Sequence, residues 1–202
     1  MPTLAHLRGS IAGAAILTLF GCVWCILALA SWTARPSWSI LVGSVATIAL
    51  LGLCGLRLMA IRDIPSIDDP VAAAKGKRAG IFFGIIFGAE GGLIALCAIL
   101  LARIGLDTWI PIATAVVVGL HFIPLGRLFE VRLYYWTGAI IVLGMGGCSL
   151  LHDASTRQLC AGLVMAAVLW LTAVVVLLQA RPSGAAANPE LNETIIDERQ
   201  IG

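Results

Sequence analysis

Apolar residues fill six long runs along the chain, each closed by charged residues or turn formers, and the pattern predicts helices over about 11–31, 39–60, 79–102, 109–126, 133–151 and 159–179. Each run lies near the roughly 20 residues that cross a hydrocarbon layer about 30 Å thick. A soluble helical bundle shows a polar face every 3.6 residues, and these runs mostly lack one. Pro111 and Pro124, near the two ends of the fourth run, fit helix boundaries. The expected fold class is therefore all-α, an integral membrane six-helix bundle. It occupies residues 1–180, followed by a flexible tail over 181–202. That tail is rich in Pro, Gly, Asn and charge, and buries too little apolar surface to fold alone. The first run also has the look of a secretory signal. Its apolar stretch exceeds the usual span of about 7–15 residues, and only Arg8 flanks it, so a retained helix is expected.

Composition strengthens this picture. Of 202 residues, 60% are hydrophobic and 12% charged, against about 25% charged in soluble domains; the mean hydropathy is +1.00. With a net charge of +2 and basic residues that occur singly or in one short group, the chain has no basic stripe for nucleic acid. The basic residues do set an orientation. With the N-terminus inside, ten fall on the cytoplasmic side (Arg8, Arg57, Arg62, Lys75, Lys77, Arg78, Arg127, Arg132, Arg181 and Arg199) and three outside (Arg35, Arg103 and Arg157). Excess Lys and Arg in cytoplasmic loops is the main topological signal, so both termini are expected in the cytoplasm. Trp32, Trp38 and Trp109 then gather at the outer interface, and Tyr134, Tyr135 and Trp136 at the inner one. The connection 61–78 is the longest; its Lys75–Arg78 group reads as an anchor beside anionic headgroups, with an amphipathic interfacial stretch or a partner-binding loop as the alternatives.

Glu90 is the most informative side chain, set mid-way along the third run in GIIFGAEGGLIALC. A carboxylate at the bilayer centre is costly unless it is neutral, paired or open to water, and so marks a functional site or a polar tie between helices. The same run carries Gly80, Gly84, Gly88 and Gly92. Successive members advance about 400°, forming a smooth stripe for close helix packing, while Glu90 sits about 200° from Gly88. A groove on one face and a carboxylate on the other predict a central third helix, or one shared with a second copy in a homodimer.

The fourth run ends GLHFIPLGRLFEVR. Here His121 can relay a proton near physiological pH. Glu90, His121, Arg127, Glu130, Tyr134 and Tyr135 are the candidates for a proton or substrate path from mid-membrane to the cytoplasm; a histidine simply packed against a neighbouring helix is the alternative. One His and one Glu are too few for a zinc site, and no metal or other cofactor is expected. Cys22 and Cys25 form a C-x-x-C pair within the first helix, with Cys148 and Cys160 bracketing a short outer loop. The pair loosely resembles that of membrane thiol oxidoreductases that pass electrons to quinone. It departs from them in lying within a helix and in lacking a large outer loop with a second shuttling pair. Cysteine is also a comfortable small apolar residue in a helix. No phosphate loop, zinc-protease or nucleophile-elbow motif is present.

The segment GLHFIPLGRLFEVRLYYWTGAI resembles the signature of a family of small, uncharacterised bacterial multi-pass membrane proteins, with His121, Pro124, Arg127 and Tyr135 at the matching positions. The resemblance implies the bacterial inner membrane and brings no activity with it. Three function classes are left open: a transporter or channel for an ion or small solute, proton-coupled through Glu90 and His121; a non-catalytic scaffold or accessory subunit; and a thiol oxidoreductase. The first is preferred because a central carboxylate is expensive to keep.

Overall fold

A computed structural model describes residues 4–32, 38–60 and 70–180. These form six α-helices, α1 (Leu4–Ser31), α2 (Trp38–Ala60), α3 (Pro70–Arg103), α4 (Ile110–Phe129), α5 (Arg132–Ser149) and α6 (Ala154–Gln179), with a 3₁₀ turn at Asp107–Trp109. The described residues contain no strand. Five helices are long and apolar enough to cross a membrane. The exception is α5, which has 18 residues but opens on Arg132, Tyr134, Tyr135 and Trp136 and so is less apolar. The third helix starts nine residues before the expected 79, so Pro70–Arg78 of the 61–78 connection is helical. Residues 61–69, the tail 181–202 and the basic residues Arg35, Arg62, Arg181 and Arg199 lie outside the described residues.

Successive helices run antiparallel, and the core gathers on α6. Ala161, Met165, Leu169, Ala173 and Leu177 recur every fourth residue and are almost wholly buried. Four-residue spacing keeps them on one slowly drifting stripe, which joins Ile11 and Ala14 of α1 and Ile141 and Met145 of α5 in one buried cluster. At one crossing of α1 and α6 a Cβ on Gly162 would lie 2.6 Å from Ala28 Cβ and 2.9 Å from the Trp24 carbonyl oxygen. Only glycine fits there, and its smallness lets the backbones touch. Further along, the Trp170 indole N–H donates to the Thr18 carbonyl at 3.2 Å. Between α5 and α6 the hydroxyls of Thr137 and Thr172 lie 2.9 Å apart. Helices α4 and α5 meet as closely at Gly119 and Gly138, where a Cβ on Gly138 would lie 2.5 Å from the Gly119 carbonyl oxygen.

Near the 3₁₀ turn, a buried arginine ties two connections together. Arg157, 6% exposed, donates to Thr108 Oγ1 at 3.1 Å and the Leu151 carbonyl at 3.2 Å. Its guanidinium also lies 4.2 Å from the centre of the Trp109 ring. The forked, planar head makes these contacts at once, as a lysine ammonium cannot.

The expectation of a central third helix is corrected. No described residue of α3 is buried, and α3 packs chiefly on α4 and the 3₁₀ turn. Nothing in the described structure lies within 4 Å of a Cβ built on Gly80, Gly84, Gly88 or Gly92. Among the described residues the glycine stripe therefore packs against nothing. The half-buried face of α3 is the opposite one, along Phe83, Ile86, Glu90, Ile94 and Cys97.

Candidate functional site

The half-buried face of α3 brings Glu90 to α4. Its Oε2 lies 3.0 Å from His121 Nδ1, and the side chains are 10% and 9% exposed. His121 sits eleven residues into α4 from Ile110, so the pair lies mid-way along both helices. The contact is close but poorly aligned for donation from the ring: Nδ1 has no hydrogen bond of good geometry. Two forms suit this arrangement, a protonated Glu90 donating its O–H to the Nδ1 lone pair, or a carboxylate beside an imidazolium. Each holds one titratable proton and no net charge. A pair without net charge avoids much of the penalty of an isolated ion in a low-dielectric setting.

Glu90 also faces space. Between α1, α3 and α4 lies a half-open cleft of about 420 Å³, walled by Phe20, Trp24 and Leu27 from α1, Phe87 and Ile94 from α3, and Val118 from α4. Glu90 is the one charged residue among its walls; Thr114 adds a hydroxyl, and the remainder is apolar. Phe20 and Phe87 meet edge to face at 6.3 Å between ring centres, narrowing the end nearer the start of α1. The cleft runs from there towards Ile110 and Pro111, at the end where α4 begins.

The other expected path residues are not gathered at the pair. Arg127 and Glu130 are exposed at the end of α4, where Glu130 caps the helix in the left-handed region at φ 56°. Tyr134 is buried and meets Phe122 edge to face at 5.7 Å between ring centres, and Phe122 in turn meets His121 edge to face at 6.1 Å. Tyr135 is partly exposed and lies over Gly126, where a Cβ would come within 2.9 Å of its ring. Ring contacts run from Phe87 through Phe83, Phe129 and Tyr134 to Phe122, linking α3, α4 and α5. Cys25 is buried and Cys22 half-buried, both as free thiols, and Cys25 Sγ lies 2.9 Å from a Cβ built on Gly43 of α2. Among the described residues no three His, Cys, Asp or Glu side chains come together, so Glu90 and His121 stand as a pair.

The cleft itself escaped the sequence reading. Its walls are ordinary apolar residues on three helices far apart in sequence, and no spacing within any one of them signals a shared cavity. The fold and site define a class, an all-helical chain with several helices able to cross a membrane and a carboxylate–imidazole pair between two of them. No known family, no curated protein and no solved structure matches this chain.

Proposed function

We propose that this chain is a six-span transport protein of the bacterial inner membrane, with both termini cytoplasmic, which moves a small ion or solute coupled to a proton held by Glu90 and His121. One observation carries the reading. The Glu90 side chain touches His121 and lines an open cleft at the same time, so whatever enters the cleft meets a group able to take or give a proton. An intramembrane ionisable residue facing a cavity is where such proton relays are built. The orientation rests on the ten-to-three division of basic residues. The attachment of α3, made chiefly to α4, supports the movement that alternating access needs.

The test is proton flux in liposomes carrying a trapped pH dye, driven by imposed gradients of candidate solutes. Coupled flux in the native chain that Glu90→Gln abolishes supports the reading. Flux unchanged by Glu90→Gln, with the variant folded, overturns it.

A second reading, a scaffold or accessory subunit, has its own observation. The uncovered glycine stripe of α3 offers a backbone-smooth face to a second copy or another helix. It predicts an assembly that Glu90→Gln leaves intact.

A further inference from the structure

Apolar walls, one carboxylate and one proton together narrow what the cleft can hold. Its volume of about 420 Å³ falls within the range of roughly 300–1,000 Å³ typical of small-molecule sites. A hydrophilic ion or sugar entering it would give up its hydration to Phe20, Val23, Leu27, Phe87 and Ile94, which return no hydrogen bonds. A wholly apolar molecule would leave Glu90 unused. The complementary guest is apolar over most of its surface and bears one positive charge. Aromatic faces add to the attraction, since a cation is drawn to the rings of Phe and Trp.

The charge balance at the pair then fixes the exchange. Glu90 and His121 share one proton and carry no net charge. A monovalent cation settling on the Glu90 carboxylate would leave the site positive if that proton stayed. Release of the proton to water leaves carboxylate, neutral imidazole and cation, again without net charge. No covalent bond between heavy atoms forms or breaks; one proton leaves as one cation arrives.

No other charged group intervenes among the described residues. Arg103, Asp107 and Arg157 lie at the end of the bundle where α4 begins, and Lys77, Arg78, Arg127, Glu130 and Arg132 at the opposite end. Tyr134, on α5, packs edge to face on Phe122 and does not line the cleft. On α1 and α3 the cysteines Cys22, Cys25 and Cys97 do not line the cleft.

We infer that the α1–α3–α4 cleft is a binding site for hydrophobic organic cations, in which the guest takes the place of the proton shared by Glu90 and His121. This deepens the transport reading and rests on it for its purpose, but the binding step is measured separately from flux.

The test uses purified full-length protein in lipid nanodiscs, with tetraphenylphosphonium as the probe. Equilibrium binding and proton release into weakly buffered solution are followed together. The expected results are saturable binding, release of one proton per cation bound, and weaker binding at lower pH. Glu90→Gln should weaken binding roughly tenfold or more, by loss of a charged partner, and abolish proton release. A second variant probes the cleft independently. Gly91 lines it and has nothing within 4 Å of a built Cβ, so Gly91→Leu fits the fold while filling the space, and should also weaken binding. Uncharged tetraphenylmethane should compete poorly. Equal competition by that neutral analogue, or binding unchanged in both variants, overturns the assignment. Binding with proton release but no flux in liposomes leaves the site standing and removes the transport reading alone.

Discussion

Glu90 and His121 owe their place to each other. Removing either side chain strands a polar group that is about nine-tenths buried, whereas removing both leaves two apolar surfaces in contact. His121→Leu and Glu90→Leu should each lower stability by about 1–3 kcal/mol, and the double variant should cost clearly less than their sum. Unfolding in detergent measures the cycle; strict additivity would mean that the two groups do not interact. At the start of α6 a second carboxylate does simpler work. Asp153 caps the helix, accepting the Thr156 backbone N–H at 2.7 Å and the Ser155 hydroxyl at 2.8 Å. The hydrogen bonds to Thr156 and then Ser155 hold its pKa down to about 2, from an ordinary 3.8. Because the folded value is depressed, its stabilisation is complete above pH 3.8 and fades as pH falls through about 2. Asp153→Ala should therefore melt earlier at neutral pH, with the gap closing towards pH 2, as thermal unfolding against pH will measure. Glu90 was legible as a costly residue from its position in an apolar run. Its pairing with His121 was not, because the facing of α3 and α4 depends on their rotation about their own axes, which no spacing within either run specifies.

Helices show the same division between what one run specifies and what two must settle together. The five long spans follow from apolar length alone. A period of four along Gly80, Gly84, Gly88 and Gly92 reads as an interface in the sequence, while isolated glycines do not. In the structure the isolated ones make the contacts, at Gly162 against α1 and at Gly119 with Gly138 between α4 and α5. Gly162→Val would drive a side chain into Ala28 and the Trp24 carbonyl, and should cost about 1–3 kcal/mol or prevent folding. Gly84→Val meets nothing within 4 Å and should leave the stability of the isolated chain within about 0.5 kcal/mol. Comparing the two by thermal unfolding separates buried from uncovered glycine. Crosslinking in the membrane then reads the uncovered stripe: a dimer lost in Gly84→Val, with stability unchanged, places a second copy on α3.

At the scale of the whole molecule the structure divides unequally. Helices α1, α4, α5 and α6 supply almost all of the buried core, α2 adds Cys54 and lies along α1, and α3 is fastened chiefly along α4. Hydrophobicity could not foretell this, since in lipid an outer helix and an inner one need equally apolar surfaces. The inequality has a mechanical consequence. Across the cleft from α1, α3 is restrained by the Phe20–Phe87 edge contact, and on its other side by the Glu90–His121 pair. A loss of attraction within that pair, as the proton leaves and a guest arrives, acts on a helix none of whose described residues is buried. If the cleft works by α3 moving away from α1, then tying the two together must stop turnover without emptying the site of its chemistry. Cysteines at positions 20 and 87, in a chain whose six native cysteines are replaced, can be joined by a short, reducible thiol crosslinker. Crosslinking should abolish coupled proton flux in liposomes, and reduction should restore it. Full flux through the tethered protein would mean that α1 and α3 stay together throughout, and that any opening lies between α3 and α4, where the proton itself is held.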